Sequence, residues 1–437
     1  MRTKVSFSWQ ALAVALTAVG MVSCSDTKNV MTDMPVIAER VQLPTGDLIA
    51  CDLSKANDTV DIPLSLLTEE LQVVKLDNRD EALVGGWVRT TVSDNYILVS
   101  NNKQVPYKLF KRNGEFVCSI GSYGQGPDKY MNTYAEQLDE KHNRIYILPW
   151  QSDRILVFDL KGNPQPNIPL GVRVGKGKFR VNTSDSTVTV TALPFESIIN
   201  EVVWVQDMHG KRIQSVAPRH LTVPRDYSNE VYDARNTSDY DVMFCVIMPD
   251  TRPDSLYHYN YEKNQLEPKF TVRFNQDPIP WHGFYELPHH FIGDASFPVQ
   301  VSKTSWTSSE PVCYIVDKET LKGNFMRLRN DYLNIPAPWI SFSNGYHVAN
   351  MEPLTLKDRL EKDLEDIINI KQTNIEMKFP GYIVVTVYPG DFFDEKRKAF
   401  IMYSLRRDRG TLPAFIRLQY SGQKRGKGAG PHDHACF

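Results

Sequence analysis

The clearest structural signal in this chain is Asn143-Arg144-Ile145-Tyr146-Ile147-Leu148 followed by Ile155-Leu156-Val157-Phe158-Asp159-Leu160-Lys161-Gly162-Asn163. Each half is a short run of β-branched, aromatic and aliphatic residues, the composition that fits a pleated and half-buried surface. Gly162 closes the second half with the positive φ that a tight hairpin demands. The same order stands upstream in residues 94–99 and 107–115, and downstream in 187–190 and 202–211. The turn glycines Gly114, Gly162 and Gly210 are 48 residues apart in both intervals, a period in the range of propeller blades. Looser copies at 256–264 and 313–320, and a last strand pair at 382–387 and 399–403, bring the expected number of units to six.

One such unit would expose apolar faces and unpaired strand edges, so it must pack against neighbours on both sides, and circular closure protects the ends. The expected fold is therefore all-β: a six-bladed β-propeller over residues 61–420. Residues 71–76, ahead of the first full repeat, suit a strand that pairs with the last blade and closes the ring. Leu356, Leu360, Leu364, Ile367 and Ile368 recur at helical spacing behind a Thr355/Asp358 capping box, which predicts a short amphipathic helix inserted in the last blade. Residues 421–437 are rich in Gly, Lys and Arg without periodicity and read as a disordered tail.

At the other end, Arg2 and Lys4 precede an apolar run from Ala11 to Val22, the layout of a secretory signal over residues 1–23. The run is shorter than the ~20 apolar residues that span a bilayer. Cys24 follows Met21-Val22-Ser23 and precedes an abrupt polar shift, which resembles the lipobox of bacterial lipoproteins, with Met21 in the place of the usual aliphatic residue. The expectation is a lipidated Cys24, a tether over residues 24–60, and membrane contact through acyl chains alone, each buried CH₂ contributing ~0.8 kcal/mol. The expected address is the cell envelope, on either membrane, facing the periplasm or the cell surface. The five remaining cysteines are scattered without a CxxC pair, which is neither a disulfide framework nor a zinc site. A formal charge of −2 removes the main reason to expect nucleic acid, which needs a concentrated basic surface.

The run Phe116-Val117-Cys118-Ser119-Ile120-Gly121-Ser122-Tyr123-Gly124-Gln125-Gly126-Pro127-Asp128-Lys129-Tyr130 resembles the NHL-type signature I-G-x-x-G-x-G-P-x-x-[FY] that leads into the next blade. With the repeat spacing and the lipobox, the chain is similar to the six-bladed NHL/TolB-like propeller lipoproteins of Bacteroides-type bacteria, a family without an assigned activity. It departs from the usual pattern at Asp128, where that family more often has Gly. The resemblance implies a fold and an envelope location, and leaves catalysis open because related propellers include lyases, lactonases and binding scaffolds. The glycines have a structural reading: Gly121, Gly124 and Gly126 allow turn geometries closed to other residues, and Pro127 fixes the exit.

No G-x-S-x-G elbow, H-E-x-x-H pair or EF-hand loop is present. Histidines that could converge on a channel metal are His209, His220, His258, His282, His289, His290 and His347, whereas His432-Asp433-His434 lies on the tail and would bind weakly. No cofactor and no resident metal are expected. The segment Pro278-Ile279-Pro280-Trp281-His282-Gly283-Phe284-Tyr285-Glu286-Leu287-Pro288-His289-His290 is aromatic, proline-rich and histidine-bearing, and falls between repeat units. Trp281, His282, Tyr285, His289 and His290 are therefore the candidate ligand residues, on a loop carried by a rigid scaffold. The expected function is a non-enzymatic envelope scaffold that holds a glycan, peptide or protein on one propeller face. The alternative is a metal-dependent lyase or hydrolase with its site in the channel.

Overall fold

A computed structural model describes residues 27–351, apart from residues 70, 78, 85–88, 101–104, 248–250, 253, 276–277, 302–305, 334 and 337–341, together with residues 381–383, 385–387 and 401–407. Cys24, the predicted helix at 355–368 and the predicted tail at 421–437 lie outside the described residues.

The fold is an all-β propeller. Five blades are consecutive four-stranded antiparallel meanders. Blade 1 is Thr90–Val92, Tyr96–Val99, Tyr107–Lys111 and Phe116–Ile120; blade 2 is Thr133–Asp139, Arg144–Pro149, Ser152–Phe158 and Pro164–Val174. Blade 3 comprises Gly177–Asn182, Thr187–Ala192, Val203–Asp207 and Arg212–Val216, and blade 4 Glu230–Tyr232, Asp241–Cys245, Ser255–Asn260 and Gln265–Arg273. Blade 5 is Trp281–Glu286, His290–Ser296, Val312–Asp317 and Gly323–Asn330.

Five meander blades replace the six expected. The last expected strand pair does form, with Thr386 opposite Met402, but it enters a composite sheet with Phe342–Ser343, Tyr346–Met351 and the early strand Gln72–Lys75. Gln72–Lys75 runs parallel to Val385–Val387 and antiparallel to Ile401–Arg407, so the N-terminal part of the chain completes a sheet begun at its far end.

The stretch expected as a tether is sheet from Ala38 onward. Ala38–Leu43 and Gly46–Asp52 form a hairpin whose second strand lies parallel to the outer strand of blade 4, with Ile49 opposite Phe270. Thr59–Pro63 lies parallel to the outer strand of blade 5, with Ile62 opposite Leu328. The reason is apolar: Ile49, Ala50, Cys51 and Ile62 are all buried, which a solvated tether could not offer them. These added strands also cover two outer sheet edges that would otherwise present unpaired backbone.

The repeat glycines sit where their spacing placed them. Gly114, Gly162 and Gly210 have φ of +89°, +82° and +87° and close the turns between the third and fourth strands of blades 1, 2 and 3. The Gly114, Gly162 and Gly210 N–H groups donate to Lys111, Asp159 and Asp207 carbonyls at 2.9, 3.0 and 3.2 Å. Each turn rests on the strand outside the preceding sheet. A Cβ on Gly114 would lie 1.8 Å from the Lys75 carbonyl oxygen, one on Gly162 2.6 Å from that of Ser119, and one on Gly210 3.0 Å from that of Pro169.

The glycine-rich motif after blade 1 is also structural. Gly121 (φ +66°) leaves room for the Tyr130 ring, which a Cβ there would meet at 2.6 Å. Tyr130 is buried; its hydroxyl donates to the Ile120 carbonyl at 2.6 Å and accepts from the Tyr107 N–H at 2.8 Å, joining two strands of blade 1. Tyr130→Phe should cost about 1–3 kcal/mol, because it leaves the buried Tyr107 N–H without an acceptor. An unchanged urea midpoint would show that these bonds contribute nothing.

Candidate functional site at the channel mouth

In a ring of meander blades every innermost strand runs in the same sense, so the second-to-third strand turns and the blade-to-blade connections share one end of the molecule. Among the described residues, this loop end is where most of the exposed large apolar side chains sit. Tyr123 and Met131 lie between blades 1 and 2, Trp150 in the central turn of blade 2, Ile198 in that of blade 3, and Tyr227 between blades 3 and 4.

Trp150 and Tyr227, 40% and 36% exposed, meet edge to face with ring centroids 5.8 Å apart and an interplanar angle of 68°. The corner they make is held firmly. The fully buried Phe195 supports Tyr227 at 5.2 Å, the Trp150 N–H donates to the Asn132 carbonyl at 3.0 Å, and the Lys176 ammonium donates to the Tyr227 carbonyl at 2.6 Å. The Tyr227 hydroxyl accepts from the Gln151 amide at 3.1 Å and from the Arg225 guanidinium at 3.4 Å. Gln151 holds this position from a left-handed backbone, φ +53°, a conformation that costs of order 1 kcal/mol in a residue with a Cβ and that often accompanies function. Beside the corner, the buried Lys176 and the half-buried Tyr134 both bond the Glu230 carboxylate at the start of the innermost strand of blade 4.

Below the mouth, the innermost strands carry a belt of opposed charges. Arg89, just ahead of blade 1, forms a two-point bond to the Glu136 carboxylate of blade 2 at 3.3 and 2.9 Å, and the Tyr107 hydroxyl donates to the same carboxylate at 2.9 Å. Burial pushes the Glu136 carboxyl up, but Arg89 and Tyr107 outweigh it and hold the group below its ordinary value. Arg89 keeps 42% of its side-chain surface accessible although it bridges two innermost strands. Across from it, Lys178 of blade 3 stands 4.0 Å from Asp233, and burial pushes the Lys178 amine down. Burial acts on Asp233 in the opposite sense, but Arg235 and Lys178 hold its carboxyl low.

Arg235 ties three blades together. It pairs with Asp233 at 2.5 Å and donates to the Glu136 carbonyl of blade 2 at 3.3 Å and to the Phe179 carbonyl of blade 3 at 2.5 Å. Its φ of +56° is sustained by the Asp241 carboxylate, which accepts from the Ala234 and Arg235 N–H groups at 2.7 and 2.9 Å. Each cation of the belt faces a carboxylate, and Arg180 completes it 3.7 Å from Asp241.

The residues singled out from sequence fall elsewhere and do not form one cluster. Their segment is not a loop between units but the innermost strand of blade 5 and the turn after it. Its prolines, Pro278, Pro280 and Pro288, bracket the strand rather than interrupt it. Alternation then divides the candidates: Trp281, Gly283 and Tyr285 share one half-buried face, and His282, Phe284 and Glu286 the buried other. His282 lies between Phe274 and Phe284 at 4.8 and 5.2 Å, its Nδ1 2.8 Å from the Pro280 carbonyl, and burial pushes its imidazole down. His289 is exposed in the turn, whereas His290 is buried with Nε2 3.6 Å from Asp317.

The other histidines are dispersed. His258 bonds the Glu286 carboxylate, which Lys318 also holds; burial pushes Glu286 up, but these two partners keep it ionised below its ordinary value. His347 is buried against Phe342 at 5.2 Å, and His209 and His220 are exposed. Among the described residues, no group of three or more His, Cys, Asp or Glu side chains is placed to hold a metal ion.

A propeller with an aromatic corner at its mouth and a charged belt below it is the class that this geometry defines. Residues 48–378 match the family described as a domain of unknown function, DUF4934, and the chain belongs to that family. No functionally curated protein matches the sequence. Among solved structures, the chain is similar to a candidate exported protein from Bacteroides fragilis NCTC 9343, at 13% identity and TM-score 0.49, covering 80% of this chain and 100% of that one. It is also similar to a member of the DUF4221 family from Bacteroides vulgatus, at 10% identity and TM-score 0.39, covering 59% and 84% of the two chains. Hydrazine synthase of Kuenenia stuttgartiensis is a third, at 13% identity and TM-score 0.37, covering 64% and 73%. No described helix is long and apolar enough to cross a membrane.

Proposed function

We propose that this protein is a cell-envelope binding scaffold, anchored through a lipid on Cys24, that holds a glycan, peptide or protein ligand at the loop end of its channel. The observation that carries the reading is the Trp150–Tyr227 corner. The Tyr227 ring is fixed by Phe195, Gln151 and Arg225 and its backbone by Lys176, the Trp150 ring packs against it, and more than a third of each residue stays in water. Exposed and pre-ordered Trp, Tyr and Arg side chains are what binding hot spots are made of, since little entropy remains to be lost on contact. The belt beneath supplies paired donors and acceptors for polar groups of a ligand entering the channel. The test is a screen of the full chain against glycan and peptide arrays beside Trp150→Ala: hits should weaken at least tenfold, and hits indifferent to the substitution would remove the corner from the function. Cys24→Ser should release the protein from the membrane fraction, and a variant that stays bound and processed would refute the anchor.

The same reading includes a ring of six blades of NHL/TolB-like type, the composite sheet being the sixth. Gly114 meets Lys75 as Gly162 meets Ser119 and Gly210 meets Pro169, which supports Gln72–Lys75 as the outer strand of a blade that precedes blade 1.

A further inference from the structure

Blade 5 contains a second site, independent of the corner at the mouth. Its register sets Gly283, Asp294 and Cys313 directly opposite one another on three adjacent strands, so their side-chain positions share a face. Asp294 is only 8% exposed, and among the described residues no hydrogen bond or ion pair reaches its carboxyl. An isolated carboxylate in such a place is expensive, and burial alone pushes this one up to about 7.

The carboxyl does have one open side. Gly283 is partly exposed on the innermost strand, and a Cβ there would lie 3.1 Å from Asp294 Oδ1. The missing side chain therefore leaves a gap over Gly283, the Gly283 window, into which the Asp294 carboxyl reaches. Trp281 and Tyr285 flank that window on the same strand face, both half-buried, and Tyr285 is braced edge to face against Phe342 at 6.4 Å. An acid with aromatic rings beside it is the donor set that recognises an organic cation, whose charge the carboxylate neutralises and whose alkyl groups the ring faces attract.

We propose that the Gly283 window binds an organic ammonium group, paired with the Asp294 carboxylate and flanked by Trp281 and Tyr285. Among the described residues, no neighbour competes for the acid. Among the described residues, the titratable groups that its charge acts on are Tyr285 on the innermost strand and Cys313 and Tyr314 on the third strand, and His347 stands on the facing sheet. Burial pushes the Cys313 thiol up to about 12, raises both tyrosines and lowers His347, so all four are uncharged near neutrality. The arriving cation displaces the Asp294 proton to solvent, which makes binding pH-dependent.

The experiment titrates butylammonium chloride into the full chain at about pH 6 and about pH 8, with butanol as the uncharged control and calorimetry in two buffers of different ionisation enthalpy. Butylammonium should bind about tenfold more tightly at the higher pH, following the ionised fraction of the acid, and release a proton at the lower. Butanol should not bind. Asp294→Asn should abolish the ammonium binding, and Gly283→Ala should weaken it by moving the carboxyl. Ammonium binding that survives in Asp294→Asn, or no binding by the wild type at either pH, overturns the proposal. If the variant fails to fold, proton release by the wild type decides: binding without release at the lower pH also overturns it. Loss of array hits in Trp150→Ala, by contrast, bears on the mouth alone.

Discussion

Gly114→Val should lower the unfolding free energy by about 4 kcal/mol, more than the same substitution at either of the other repeat glycines. Two costs add at this position. A β-branched residue at φ +89° is strained by ~1–3 kcal/mol, and overpacking adds a similar amount when the neighbour cannot yield. Here the neighbour is backbone, the Lys75 carbonyl at 1.8 Å from the new Cβ, so relief requires the strand Gln72–Lys75 to move away. Two residues past that strand the chain is bonded to the turn as well, the Asp77 N–H donating to the Gly114 carbonyl at 2.8 Å. Gly162→Val, with 2.6 Å to Ser119, should cost less, and Gly210→Val, with 3.0 Å to Pro169, least. Denaturant midpoints of the three variants check the order. If Gly114→Val is the mildest, the contact between blade 1 and the early strand is wrong, and with it the closing role given to residues 72–75.

Asp294→Asn should be more stable than the wild type at about pH 8 by roughly 4 kcal/mol, and the difference should vanish toward pH 4. The folded carboxyl titrates near 7 against 3.8 in the open chain, and each unit is worth ~1.4 kcal/mol. The sign follows from which state holds the proton. Between those two values the folded protein keeps it and the unfolded chain has lost it, so stability falls as pH rises through that window. Asp254, also pushed up to about 7 by burial, adds the same slope to both proteins. His282 and His347 oppose it, because burial lowers them and protonation below about pH 6.5 favours the unfolded chain. Comparing variant with wild type across pH cancels those contributions. A difference independent of pH would mean that Asp294 is ionised and paired in the folded state.

The fold was largely readable because its determinants are local. Gly114, Gly162 and Gly210 declare hairpins whose positive φ the structure reproduces, and the short β-branched and aromatic runs at 145–148 and 155–158, bounded by turn residues, suit buried strands. The blade count was less legible because the composite sheet is non-local: its strands come from residues 72–75, 342–351, 385–387 and 401–407, and no period links them. The N-terminal hairpin was hidden for the same reason, since its partner on blade 4 is more than two hundred residues away.

The site was harder to see. The proline-rich segment drew attention through its composition, yet composition cannot say that Trp281 and His282 face opposite ways; only the strand assignment can. A signal for the channel belt was available in Lys176, Lys178 and Arg180, cations two residues apart around the apolar Phe179. A strand with one charged face in an otherwise buried ring must turn that face to a wet channel. Trp150 gave no such signal, because its value depends on Tyr227, 77 positions later in sequence and 5.8 Å away in space.

The corner can be tested most directly by measuring affinity and stability together for the strongest array ligand, using the wild type, Trp150→Ala, Tyr227→Ala and the double variant. Surface truncations usually change stability by no more than ~0.5 kcal/mol, whereas aromatic hot spots cost ~2 kcal/mol or more in binding. Each single variant should lose about thirtyfold in affinity with a nearly unchanged urea midpoint. The double variant should lose less than the product of the two, because the rings hold one ligand jointly. Undiminished affinity in both single variants would contradict a ligand site at this mouth, as would a loss that merely follows unfolding.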